Sequence, residues 1–157
     1  MVKITGDTFP LQFLQRLSYK TPFFLFSRKK ILENYHKFKK LFPGSSIHYA
    51  MKANSERKVL KVLFSEGSGF EVASIYELNM LKKIHVPAKK MLYGTSVKPA
   101  SQIKQFYEFG VDRFAFDSFP ELEKIAVNAP GVKVYVRVVV NDTGSVFKFS
   151  GKFGTDS

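Results

Sequence analysis

The chain has 157 residues, 45% of them hydrophobic and 17 of them Phe, which is enough apolar mass for one folded core and excludes a disordered or low-complexity chain. Lys and Arg number 25 against 13 Asp and Glu, a formal net charge of +12. Cysteine is absent, which excludes a disulfide scaffold, a Cys-ligated zinc site and a thiol nucleophile. His36, His48 and His85 have no metal-ligand spacing. No stretch approaches the roughly 18 apolar residues of a membrane span, and Met1 to Pro10 lacks the apolar core of a signal peptide, so no membrane and a cytoplasmic location are expected. The positive charge fits either a polyanion-binding surface or solvated helix faces, and the pattern along the chain favours the second.

A short helical lead-in is expected around Leu11 to Leu17. Thr21-Pro22 opens an apolar run, Phe23 to Phe26, that reads as a strand. Ser27 is a suitable N-cap for a helix from Arg28 to Leu41. Ile31, Leu32, Tyr35 and Phe38 form its apolar stripe, and Lys29, Lys30, Lys37 and Lys40 fall mostly off it. Pro43-Gly44 ends that helix. A strand over Ile47 to Ala53 precedes a helix from about Ser55 to Ser65. Phe70 to Ala73 reads as the next strand. Ser74 caps the following helix, with Glu77 at the spacing of a capping box. Met91 to Tyr93 is a strand, Ser101 to Phe109 a helix and Arg113 to Phe116 a strand. Asp117 or Ser118 then caps a helix through Ile125. Val132 to Val140 is the longest apolar run and reads as a buried, Val-rich parallel strand.

Strand and helix alternate with short connections, the pattern of an α/β fold with a parallel sheet in one domain, residues 1–157. Six strands can be counted, the first of which need not share the sheet. A closed eight-stranded barrel takes about 250 residues, so the expectation is a small open sheet or the first part of a barrel.

Three residues stand out chemically. Lys52, in Tyr49-Ala50-Met51-Lys52-Ala53-Asn54, sits at the C-terminal end of a strand, where α/β sheets bind ligands. Partial enclosure there would strip hydration from its amine, lower its pKa and free it for Schiff-base chemistry; the plainer reading is a strand-end lysine in water. Glu71 interrupts the apolar strand Phe70 to Ala73, and Arg137 interrupts Val134 to Val140. Buried ions need partners. These two either form an internal pair or converge with Lys52 on an anionic cofactor.

Several pieces occur in order: Tyr-Ala-Met-Lys52-Ala-Asn, Gly-Phe-Glu71-Val-Ala-Ser with Glu77, Tyr93 through Lys98-Pro99, Phe116-Asp117-Ser118 with Glu121-Leu122-Glu123-Lys124, Arg137, and Lys152-Phe153-Gly154. Lys52 and Glu71 are 19 residues apart, and Arg137 and Lys152 are 15 apart. From about Thr21 to Gly154 this set resembles the N-terminal barrel of the pyridoxal-phosphate-dependent ornithine/diaminopimelate/arginine decarboxylases, which have the alanine-racemase-type fold, and the ornithine decarboxylase branch in particular. The resemblance implies a partial (β/α) barrel, too short to close and without the C-terminal β-domain.

It implies pyridoxal phosphate as cofactor, with Lys52 as its Schiff-base lysine. Glu71 stands where the family usually has Asp, and Arg137 matches the arginine beside the cofactor. The implied reaction is decarboxylation of a basic amino acid in polyamine or lysine metabolism, by a homo-oligomer or with a partner chain and without specific nucleic-acid binding. The family's cofactor-stacking His, Gly-rich phosphate loop and acidic partner of the pyridine nitrogen have no counterpart here. The chain is therefore expected to be inactive alone, and the alternative is a non-catalytic remnant or interaction protein that binds a partner chain.

Overall fold

A computed structural model describes residues 15, 16, 18, 20–141, 143–146 and 153–155. Most of the lead-in expected around Leu11 to Leu17, and Lys152, lie outside the described residues.

Helix α1, Arg28–Leu41, starts where Ser27 Oγ accepts the backbone N–H of Lys30 at 3.1 Å. Tyr35 is its buried residue, and Lys29, Lys30, Lys37, Lys39 and Lys40 are exposed. Strand β1 is His48–Ala50, shorter than the sequence suggests. At Met51 the backbone turns into a single 3-10 turn, Met51–Ala53, and the Met51 side chain is driven fully into the core. Helix α2, Arg57–Ser65, buries Val59, Leu60 and Leu63 along one face. Strand β2 is Gly69–Val72 and helix α3 is Ile75–Lys83. Ser74 Oγ accepts from Glu77 N at 3.3 Å, as the capping-box spacing predicts, but the Glu77 carboxylate reaches one residue further back and accepts from Ala73 N at 2.6 Å.

Strand β3, Met91–Tyr93, follows the 3-10 turn Ala88–Lys90. Helix α4, Ala100–Phe109, ends at Gly110, whose φ of 97° lets its N–H return to the carbonyls of Phe106 and Tyr107. Strand β4 is Arg113–Phe116. Helix α5, Phe119–Asn128, has Ser118 as its N-cap residue, although neither the Ser118 hydroxyl nor the Asp117 carboxylate caps it. Asp117 Oδ2 instead accepts the backbone N–H of Gly154 at 3.0 Å. Strand β5 is Lys133–Val136.

The five strands form one parallel sheet in sequential order, β1-β2-β3-β4-β5. Side chains alternate across it. Phe70, Val72, Met91, Tyr93 and Phe114 face the helices and are fully buried. They pack with Leu60, Leu78, Leu81, Ile103, Phe106 and Ile125 in one core. The Tyr93 and Phe106 rings stack with centroids 3.8 Å apart. The other phase of the alternation puts Ala50, Glu71, Leu92, Ala115 and Tyr135 on the opposite face. This is the expected α/β architecture: part of a barrel, open between β1 and β5.

Two strand expectations are corrected. Phe23 to Phe26 is not a strand: the run has no regular structure, β1 occupies the sheet edge beside β2, and Phe24 is 86% exposed and stacks on Phe26 at 6.3 Å. Val132 to Val140 is not a long buried strand. Its regular part is Lys133–Val136, all four residues are exposed, and among the described residues it is an edge strand paired with β4. Beyond it, Val138 forms an isolated parallel bridge with Thr155.

Candidate active site

The C-terminal ends of the strands carry the candidate residues. Lys52 lies in the 3-10 turn directly after β1. Three contacts hold that turn: Met51 is sunk in the core, Tyr49 Oη donates to the Asn54 carbonyl at 3.2 Å, and Asn54 Oδ1 accepts from Glu56 N at 2.8 Å. Of the two readings of Lys52, enclosed or at a strand end in water, the structure shows the second: the residue is exposed.

Glu71 is half-buried in β2, in register with Ala50 on one side and Leu92 on the other. Its carboxylate lies over Gly94. A Cβ built on Gly94 would run into Glu71 Oε1 and Cγ, so a larger residue at 94 would force the Glu71 side chain to move. Arg137, just beyond β5, points to the same glycine, with Nη1 donating to the Gly94 carbonyl at 3.4 Å. Arg137 also sits 5.7 Å from the centroid of the Phe153 ring. Its own carbonyl accepts from Thr155 N at 2.9 Å.

Gly94 is therefore where Glu71 and Arg137 meet. No ion pair joins them, so the internal Glu–Arg pair is not formed among the described residues. Nor does a hydrogen bond or ion pair link Lys52 to either of them. Tyr135, on the same face, has its phenol pushed up to about 12, first by desolvation and then by the nearby Glu71 carboxylate, with Arg137 and Arg113 opposing. His48, at the other end of that face, has its pKa lowered by desolvation and by Arg113.

Sequence reasoning missed three parts of this arrangement. Gly94 carries no signal until the contacts on both sides of it are known. Asp117, one of two candidate caps beside Ser118, instead accepts from Gly154 N. The third is a buried charge cluster beside the site. Lys98 and Glu121 are 1% and 4% exposed and bond at 2.9 Å, and Lys124 reaches the second carboxylate oxygen of Glu121 at 2.6 Å. The spacing of Glu121 and Lys124 hinted at their pairing, but nothing in the sequence announced a buried Lys98.

No group of three or more His, Asp or Glu able to hold a metal occurs among the described residues. What the strand ends do offer is an amine, a carboxylate and a guanidinium, with a glycine that opens space between the last two. That donor set suits the aldehyde end and the charged groups of a pyridoxal cofactor.

Comparison with known proteins agrees. Residues 28–157 match the family model described as the pyridoxal-dependent decarboxylase, pyridoxal binding domain. The lysine/ornithine decarboxylase of Selenomonas ruminantium is 37% identical over 134 residues, covering 85% of this chain and 34% of the relative. Antizyme inhibitor 2 of Xenopus laevis is 31% identical over 132 residues, covering 84% of this chain and 29% of the relative. The crystal structure of lysine decarboxylase from Selenomonas ruminantium superposes with a TM-score of 0.82 at 34% identity, covering 93% of this chain and 38% of that one. The chain thus spans about a third of the length of the curated relatives it matches. With most of its residues matched and its sheet superposing on a solved member, the chain belongs to the pyridoxal-dependent decarboxylase family, through that family's pyridoxal-binding domain.

Proposed function

We propose that residues 1–157 are the N-terminal portion of a pyridoxal-phosphate-binding barrel that serves decarboxylation of a basic amino acid of the ornithine, lysine, arginine or diaminopimelate class. The observation that supports this reading is the meeting of Glu71 in β2 and Arg137 after β5 at Gly94, with Lys52 in the turn that follows the neighbouring strand β1.

Lys52 is the residue that binds the cofactor covalently. Its amine would hold the aldehyde end of the cofactor. When bound, pyridoxal phosphate supplies an electron sink for the carbanion left as carbon dioxide departs. Glu71 and Arg137 orient the bound group and set the local charge. The glycine at 94 lets a Glu do this where its longer side chain would otherwise collide. The rest of the cofactor's contacts and the choice of amino acid belong to other parts of a complete barrel or to a partner chain. A cytoplasmic setting and a place in polyamine or lysine metabolism fit this reading.

The test is capture of pyridoxal phosphate by the 157-residue chain. Mixing, borohydride reduction and peptide mass spectrometry should locate a reduced adduct on Lys52, and Lys52→Ala should lose it. An adduct spread over surface lysines with none favoured at Lys52 would overturn the assignment.

A second reading is a non-catalytic chain that binds a partner, as the name of the antizyme inhibitor relative suggests for that protein. It is favoured by the exposed edge at β5, with Val134, Val136, Val138 and Val140 all in contact with solvent. Failure of Lys52 to capture the aldehyde, together with a stable stoichiometric complex with a family member, would select it.

A further inference from the structure

The buried cluster around Lys98 is not used by the proposed chemistry as it stands, yet it abuts the site. The Lys98 amine touches four oxygens: Glu121 Oε1 at 2.9 Å and the carbonyls of Thr95 at 2.9 Å, Ser96 at 3.1 Å and Ala115 at 2.6 Å. Glu121 Oε1 also accepts Lys98 N at 3.1 Å, and the Lys124 amine donates to the Lys98 carbonyl at 2.7 Å. The Lys98 side chain has no exposed surface. Desolvation lowers its pKa, and the Glu121 carboxylate opposes that shift. A buried ion pair is a weak device for stability alone, since desolvation offsets the attraction. What this one does is fix backbone. Thr95 and Ser96 belong to the loop after β3, and Ala115 to β4, so one amine staples that loop to the next strand.

The other side of the same loop is tied to β2. Gly94 N donates to the Val72 carbonyl at 3.0 Å, and Thr95 Oγ1 to the Ala73 carbonyl at 3.5 Å. Gly94, the residue that makes room for Glu71 and receives Arg137, is thereby held from both sides. We propose that Lys98, locked by Glu121 and Lys124, is a positioning residue that sets the Gly94 backbone and through it the placement of Glu71 and Arg137 at the cofactor site. The inference rests on the proposed cofactor function. The Lys98 side chain is fully enclosed by protein. It acts at a distance of a few residues, through three carbonyls.

A double-mutant cycle on the full 157-residue chain tests this, with pyridoxal phosphate as the probe and the midpoint of borohydride-trapped capture at Lys52 as the readout. Lys98→Met should raise the midpoint about tenfold or more, the scale expected when positioning is lost. Glu71→Gln should raise it too. If Lys98 works through Glu71, the double variant is no worse than the poorer single one. Leu63→Ala, a buried change in α2 remote from the loop, should lower the melting temperature and leave the midpoint unchanged.

A wild-type midpoint in Lys98→Met, or effects of the two substitutions that simply multiply, would overturn the positioning role. So would a Leu63→Ala midpoint that moves as far as that of Lys98→Met. If Lys98→Met does not fold, Glu121→Gln takes its place in the cycle with the same expectations. Absence of Lys52 capture in the unsubstituted chain is a different failure. It overturns the cofactor reading itself, and the positioning role with it.

Discussion

Single residues decide how much room and charge the site has. Gly94→Ala would push a methyl into the Glu71 carboxylate, with its Oε1, Cγ and Cδ all within 2.6 Å of the new atom. The Gly94 backbone itself is unstrained for alanine, so the change should cost about 1–3 kcal/mol of stability, in line with local overpacking. Capture of pyridoxal phosphate at Lys52 should fall more than the stability does, checked by melting and trapping on the same samples. Glu121→Leu is the harsher change. It strands the Lys98 cation in the interior, and about 3–5 kcal/mol of stability should be lost by chemical denaturation.

Tyr93 gives a pH signature. Its fully buried phenol donates to Gln102 Oε1 at 2.9 Å and has its pKa pushed up from 10.0 to about 12 by desolvation and then by Glu121. Above pH 10 the unfolded chain loses this proton while the folded chain keeps it. The associated stability is thus fully present below pH 10 and is lost as pH rises toward 12, on the order of 2–3 kcal/mol. Tyr93→Phe should flatten that alkaline loss in denaturant titrations at pH 10, 11 and 12.

At the scale of the element, the helices were legible and the last strand was not. Ser27, Ser74, Gly110 and the apolar spacing of α2 are local signals, and local geometry obeys them. Phe23 to Phe26 and Val132 to Val140 are equally apolar, but whether an apolar run pairs and is buried depends on what lies beside it. Among the described residues β5 pairs with β4 alone, and its four residues are exposed. Its amides should exchange with solvent hydrogen much faster than those of β2 and β3, measured residue by residue; equal protection across the sheet would contradict the open edge. Leu60→Ala, at a fully buried position of α2, should cost about 2–5 kcal/mol in equilibrium unfolding. The site was half legible for the same reason. A lysine at a strand end and two ions in apolar strands can be seen in one dimension. Their meeting at Gly94, and the staple at Lys98, depend on the register of strands that whole helices separate along the chain.

For the molecule as a whole, net charge and exposed apolar surface oppose each other. A charge of +12 keeps copies apart, whereas the β5 edge and the exposed Phe24, Phe38 and Phe42 favour association. Salt screens the first over about 10 Å at 0.1 M and leaves the second intact. Light scattering of the 157-residue chain should therefore show association that increases with sodium chloride; a monomer at every salt concentration would show that the open face is well tolerated in water. The sequential strand order has a further consequence, for the route by which the fold is reached. Every strand pairs with its immediate predecessor, so no long loop has to close before a contact is rewarded, and the chain can zip up unit by unit as it leaves the ribosome. Each β–α step offers a template for the next, and the structured front advances from the N-terminal side without rethreading what has already formed.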